Sequence, residues 1–284
     1  MSHLMEDKTA LVVEGGAMRG IFSTGILDAF LIHQFNPFDI HIGVSAGSSN
    51  LAAYLANMYQ RNYKVYVDYS VRPDFISWRK FFLGKHLIDL DWLWDITIKE
   101  MRLDLDRISQ YKNYYVGLTE VNSGKTHYIK PDKDNLEEVI KASSAIPIFY
   151  RNTVNINGAE YVDGGVSDPI PVKKAYELGA KKIMVIRSRD YHFNMKKPSK
   201  KMLLDVFLRK YPQVKLATLK RHRVYRESIE FIRKPPKGIE IIEVNPPDEF
   251  ETNRLTQDIE ILKKDYQLGY DTGINIIKKW NHKA

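Results

Sequence analysis

Gly43-Val44-Ser45-Ala46-Gly47 sets a serine among small residues, where a sharp strand-to-helix turn could lift its hydroxyl clear of neighbouring side chains. Such a hydroxyl can attack an ester carbonyl if a base takes its proton and N–H groups receive the oxyanion. The pentapeptide alone is not diagnostic, because a glycine-flanked serine also serves as an ordinary turn or helix N-cap. Two further segments offer the missing parts. Glu14-Gly15-Gly16-Ala17-Met18-Arg19-Gly20 is a glycine-rich turn whose successive N–H groups could cradle an anion. That anion could be a phosphate or the oxyanion of a tetrahedral intermediate. The spacing is neither Gly-x-Gly-x-x-Gly nor a Walker loop. Arg19 reads as a buttress of the turn or a contact for an acidic head group. Tyr161-Val162-Asp163-Gly164-Gly165 offers a carboxylate on an open turn, a candidate general base if it comes within hydrogen-bond reach of the serine.

These segments need a scaffold, and the flanking sequence supplies one. Residues 9–13 are an apolar run ending in the glycine turn, followed by apolar residues at helical spacing over 21–35. Residues 39–44 repeat the strand signal and 46–59 the helix signal. Strand, glycine turn and helix thus occur twice within 60 residues, which predicts an α/β fold with a mainly parallel sheet flanked by helices. Asn122-Ser123-Gly124 and Asn157-Gly158 each sit between strand-like runs and predict hairpins. A helix is expected over 171–178 with Gly179 near its C-cap, and strands over 182–187 and 239–244. Residues 259–280 read as one or two closing helices. The aromatic-rich stretch 65–107 reads as helical and irregular. Its residues Phe75 to Trp94 are candidates for an acyl pocket or for ordinary core.

Charge is unevenly placed. The chain of 284 residues carries a net +8, but the stretch from Lys196 to Lys237 holds fourteen Lys/Arg against three acids, leaving the rest at −3. That stretch reads as a basic helical insertion or cap. The expected organisation is a single domain over 8–284: a motif-bearing core (8–190), the basic insertion (191–237), and a closing strand and helices (238–284). A solvated helical face is the plainest account of the basic stretch. Peripheral contact with anionic membrane lipid comes next, and nucleic acid third. No apolar run approaches the roughly 20 residues needed to span a bilayer, and the polar N-terminal octapeptide does not read as a secretory signal. Absence of cysteine excludes disulfides, thiolate metal sites and a cysteine nucleophile, and fits a cytoplasmic protein. The histidines form no ligand pair, so no metal is expected.

In this order the three chemical segments resemble the patatin-like phospholipase family. The turn at 14–20 is similar to that family's Gly-Gly-Gly-x-Arg-Gly motif, 43–47 to its nucleophile elbow, and Asp163-Gly164-Gly165 to its Asp-Gly-Gly/Ala motif. Ala142-Ser143-Ser144-Ala145-Ile146-Pro147 resembles a block that precedes the aspartate, and Asp168-Pro169-Ile170-Pro171 continues in the expected place. The resemblance spans roughly residues 9–187. It implies a three-layer α/β/α fold and a Ser45–Asp163 dyad acting on acyl lipids or other esters without cofactor or catalytic histidine. The oxyanion would fall to Gly15, Gly16, Ala17 and Met18, supported by Arg19, Gly20, Gly43, Gly47, Gly164 and Gly165. Ala17 departs from the motif's third glycine, which matters if that position needs positive φ. Rivals are a Ser-His-Asp esterase using His192, His222 or His282, an acyltransferase sharing the acyl-enzyme, and a non-enzymatic phosphate or nucleic-acid binder.

Overall fold

The apolar runs assemble into one sheet in the computed structural model, which describes residues 7–199 and 201–281. Residues 1–6, on which the reading of the leader rests, and His282 lie outside these. The strands are β1 (Lys8–Val13), β2 (Ile40–Val44), β3 (Tyr114–Glu120), β4 (Thr126–Ile129), β5 (Val154–Ile156), β6 (Ala159–Asp163), β7 (Ala180–Ile186) and β8 (Glu240–Val244). The helices are α1 (Ile21–Ile32), α2 (Ala46–Leu55), α3 (Arg61–Lys64), α4 (Trp78–Phe82), α5 (Leu90–Met101), α6 (Leu105–Ile108), α7 (Leu136–Ser143), α8 (Val172–Glu177), α9 (Lys201–Phe207), α10 (Pro212–Arg233) and α11 (Ile259–Asn281). Strand order is β5-β6-β3-β2-β1-β7-β8, with β4 also on β3. The four pairings from β3 through β2, β1 and β7 to β8 are parallel, and both expected hairpins form.

Alternation along the strands fixes the layers. Leu11, Val13, Met184 and Ile186 face one side, packing with Phe22 of α1 and Leu51 of α2. Ala10, Val12, Ile183 and Val185 face the other, packing with Val172 of α8 and Tyr225 of α10. The fold is therefore the three-layer α/β/α arrangement with a mainly parallel sheet. Helix α1 is buried along nearly its whole length, because α11 covers its outer side. There the two backbones touch: a Cβ at Gly269 would lie 2.2 Å from the carbonyl oxygen of Phe22. The closing helix is one element of 23 residues. The basic stretch does contribute to the core, since α10 buries Tyr225 and Ile232. Among the described residues no helix is long and apolar enough to cross a membrane.

The register of β3 brings two chain ends together. Its Gly117 faces Val44 of β2, and its next residue, Leu118, faces Asp163 of β6. Across the same residues β4 occupies the opposite edge. Strands β2 and β6 therefore share one edge of β3, one parallel and one antiparallel, and meet tip to tip.

Candidate active site

Ser45 sits at the tip of β2, as the N-cap of α2, with φ 54° and ψ −131°. That backbone is costly for a non-glycine residue, on the order of 1–3 kcal/mol, and persists only where its surroundings hold it. Ser143 does so from α7. The Ser45 N–H donates to Ser143 Oγ at 2.8 Å, and the Ser143 hydroxyl donates to the Gly117 carbonyl at 2.7 Å. Gly43 and Gly47 let the elbow pack: a Cβ at Gly47 would lie 2.3 Å from the Val13 carbonyl oxygen. The elbow is thus wedged against the end of β1.

At the facing tip, Asp163 Oδ2 accepts a hydrogen bond from Ser45 Oγ at 2.6 Å. Its other oxygen accepts from the Gly165 N–H at 2.7 Å, and its backbone carbonyl accepts from Thr119 Oγ1 at 2.8 Å. Gly164 packs on the Gly117 carbonyl, so the turn after Asp163 lies flat on β3. Both Ser45 and Asp163 are buried. Burial pushes the Asp163 carboxyl above its ordinary value. The Ser45 hydroxyl, Arg221, the Gly165 N–H and Arg254 pull it partly back.

The glycine turn lies directly against the elbow. A Cβ at Gly15 would be 2.8 Å from both Ser45 Cβ and the Val44 carbonyl oxygen, so only glycine brings the turn this close. Among the described residues the N–H groups of Gly15, Gly16 and Ala17 have no acceptor, whereas that of Met18 donates to the Arg254 carbonyl at 3.4 Å. Ala17 holds φ at 51°. The position does require the left-handed region, so its methyl costs roughly 1–2 kcal/mol. Arg19 buttresses the turn from a buried position, its Nε donating to the Ser188 carbonyl at 3.1 Å. The Gly20 carbonyl accepts from Asn50 Nδ2 at 2.8 Å, tying the end of the turn to α2.

Several supporting residues carry no signal in the sequence. Glu14, at the start of the turn, accepts from Arg187 Nε at 3.1 Å and from the Ser188 N–H at 2.8 Å. Arg187 is itself fully enclosed, donating also to Tyr225 Oη at 2.7 Å and to Glu243. An arginine ending an apolar strand was the one available hint. Arg221 and Arg254 line the cavity over Ser45 and Asp163, and neither belongs to a motif. Of the rival bases, His222 donates from Nδ1 to the Leu219 carbonyl at 2.9 Å. His192 lies in a separate groove. Neither is hydrogen-bonded to Ser45 or Asp163.

Two cavities meet at Ser45. One holds Gly15, Gly16, Asp163, Arg221 and Arg254 beside Ile146, Val166 and Pro169. The other is apolar and is lined by Val65, Phe75, Ile88, Leu90, Leu93 and Trp94. The aromatics of 75–94 accordingly divide: Phe75 and Trp94 face this cavity, while Trp78 and Phe82 are exposed.

A patatin-like phospholipase family model matches residues 11–176, and a second, described as a domain of unknown function (DUF6363), matches 211–283. The uncharacterized protein YjjU of Escherichia coli (strain K12) is 40% identical over 271 residues, covering 92% of this chain and 75% of that protein. The probable lipid hydrolase 463L of Invertebrate iridescent virus 6 is 26% identical over 192 residues, covering 61% of this chain and 64% of that one. Among solved structures, VipD from Legionella pneumophila aligns with 96% of this chain and 67% of its own at 12% identity, with a TM-score of 0.44.

Proposed function

Because the chain belongs to the patatin-like phospholipase family, whose shared activity is hydrolysis of lipid esters, we propose that it is a serine acyl-hydrolase working through a Ser45–Asp163 dyad. The observation that carries this reading is the 2.6 Å hydrogen bond from Ser45 Oγ to Asp163 Oδ2, made beside unpartnered N–H groups. Asp163 takes the hydroxyl proton as Ser45 Oγ bonds to the ester carbonyl carbon. The oxyanion is received by the N–H groups of Gly15, Gly16 and Ala17, each such donor typically worth about 2.7–4 kcal/mol in serine hydrolases. Met18 drops out of this set because its N–H is engaged by Arg254. Collapse expels the alcohol, which takes the proton from Asp163. Water then attacks the acyl-enzyme with Asp163 again as base. The apolar cavity beside Ser45 suits the acyl chain. A fluorophosphonate probe should label wild-type protein at Ser45 and leave Ser45→Ala unlabelled. Peptide mapping that finds the probe elsewhere, with Ser45 unmodified, defeats the reading.

We also propose peripheral contact with anionic lipid, by a surface more specific than the whole basic stretch. Helices α4 and α9 are joined by Phe81 stacked on Phe207, with centroids 6.0 Å apart. Together they expose Trp78, Phe82, Leu83, Met202 and Val206. Arg79, Lys85 and Arg209 flank this patch, the pairing of apolar and cationic side chains that suits an anionic bilayer surface. The bridge between Ile76 and Ile88 roots α4 next to the apolar cavity, to which Ile88 contributes. Sedimentation with vesicles containing phosphatidylglycerol should exceed that with phosphatidylcholine alone, and Phe82→Asp with Val206→Asp should lower it about tenfold. Equal sedimentation of wild type and variant would remove this surface.

A further inference from the structure

Four arginines gather beside the dyad without a part in the chemistry above. Arg19 comes from the glycine turn, Arg189 follows β7, Arg221 is on α10, and Arg254 lies between β8 and α11. They repel one another. Burial lowers Arg254 to about 10, with Arg221 and Arg189 adding to the effect and only Asp163 opposing it. Burial likewise lowers Arg19 to about 9, helped by Arg189 and Arg254. By contrast, the fully enclosed Arg187 is paired with both Glu14 and Glu243. Among the described residues, neither Arg221 nor Arg254 has a salt bridge or a side-chain hydrogen bond. Arg221 Nε is enclosed with no acceptor at all. A sheltered guanidinium without a partner is costly, and a cluster of them marks a place where an anion is meant to sit.

The position of the cluster says which part of a substrate brings that anion. Arg221 and Arg254 line the cavity over Ser45 and Asp163, and both also line a neighbouring groove of about 660 Å³ with Arg189, His192, Asn194 and Lys196. They stand at the boundary between the two. A Cβ at Gly165 would lie 3.0 Å from Asp163 Oδ1 and 3.6 Å from Arg221 Nη2, so one methyl group would touch both base and guanidinium. The apolar cavity leaves Ser45 toward Val65, Phe75 and Leu93 instead. An acyl chain directed there sends the leaving alcohol toward the arginines.

We propose that Arg221 and Arg254 form a subsite for a phosphate carried on the leaving alcohol, a few bonds from the scissile ester, with the rest of the head group in the groove beyond. The subsite rests on the acyl-hydrolase reading and gives the C-terminal segment a role in choosing the substrate. Both arginines fall within residues 211–283, outside the part matched by the patatin-like phospholipase model. Phosphodiester oxygens suit paired guanidinium groups, which can each donate two parallel hydrogen bonds.

The competing role is electrostatic support of Asp163 alone, and kinetics separate the two. Full-length wild type, Arg221→Gln, Arg254→Gln and the double variant would be assayed on monomeric dihexanoylphosphatidylcholine and on the uncharged p-nitrophenyl butyrate. The subsite predicts that each single variant loses about tenfold more kcat/KM on the phospholipid than on the neutral ester, mostly through KM, and that the double variant loses more. Arg254→Lys should recover part of the difference. Melting temperatures should hold or rise, since an uncompensated cation has been removed, so unfolding is readily told apart. Equal losses on both esters, with the acidic limb of the pH profile moved upward, would overturn the subsite in favour of base support; no loss on either would overturn it outright. Inorganic phosphate that inhibits neutral-ester hydrolysis, without any phospholipid preference, would point to a free-anion site and also overturn it. Wild type inactive on both esters and unlabelled at Ser45 would instead sink the hydrolase reading, and the subsite with it.

Discussion

Asp163→Asn is expected to lower kcat for ester hydrolysis by about 10⁴-fold, the scale on which loss of a nucleophile's supporting group is felt. The substitution is nearly isosteric. The amide oxygen can still accept from the Gly165 N–H, now made at 2.7 Å by Oδ1. The nitrogen then faces Ser45 Oγ, where Oδ2 now accepts at 2.6 Å, and an amide has no site to take the proton. Ser45→Ala should cost at least as much, and the double variant no more than Ser45→Ala, because the two groups perform one step. The pH profile supplies the second half of the test. Asp163 must be ionised to act, and burial raises its carboxyl above the ordinary value despite Arg221 and Arg254. Wild-type kcat/KM should therefore fall as pH drops through a value above the usual carboxylate range, and the variant's residual rate should lack that limb. Steady-state assays on purified protein, with circular dichroism as a folding control, would decide. Retention of a tenth of the wild-type rate would remove Asp163 as base.

The largest effect on stability is expected from Arg187→Met, about 3–5 kcal/mol by urea denaturation. Arg187 is fully enclosed, and its guanidinium satisfies Glu14, Glu243 and Tyr225 at once. Burial alone would weaken its charge, but Glu14, Tyr225 and Glu243 more than offset that. Methionine fills comparable space yet leaves the Glu14 carboxylate enclosed without its cation. Glu14→Gln with Arg187→Met should recover much of the loss, since removing both charges spares the unpaired one. Because Glu14 immediately precedes Gly15, the single variant should lose activity as well as stability. A cost below about 1 kcal/mol would show that the network is ornamental to folding.

What could be read in the sequence was local. The elbow at Ser45, the turn at Gly15–Gly16 and the hairpin at Asn157-Gly158 are set by short-range backbone chemistry, so their residues announce them. The sheet was legible because its strands are short apolar runs, several of them ending or beginning at a glycine turn. The remainder depended on contacts between distant segments. Charge counting treated the stretch from Lys196 to Lys237 as one basic surface. Its side chains go separate ways: Arg221 lines the cavity over Ser45 and Asp163, Lys215 pairs with Asp205, and Arg233 with Glu243. The Met18 N–H is likewise engaged by a carbonyl 236 residues further along the chain, which no local signal announces. The partner of Glu14 lies 173 residues away, and nothing near Glu14 predicts an enclosed arginine.

Ser45 and Asp163 are 118 residues apart in the chain, yet a single peptide step of β3, from Gly117 to Leu118, separates the places where their strands dock. That step works as a ruler. Most helices and loops inserted between the two residues can lengthen, shorten or be exchanged without altering the gap; α7 is the exception, because its Ser143 braces the Ser45 N–H against the Gly117 carbonyl. A slip of β6 by one residue along β3 would be different in kind: side chains alternate, so the carboxylate would turn to the opposite face of the sheet. The reactive spacing is therefore digital, either in register or lost, and chain length in between is free to drift.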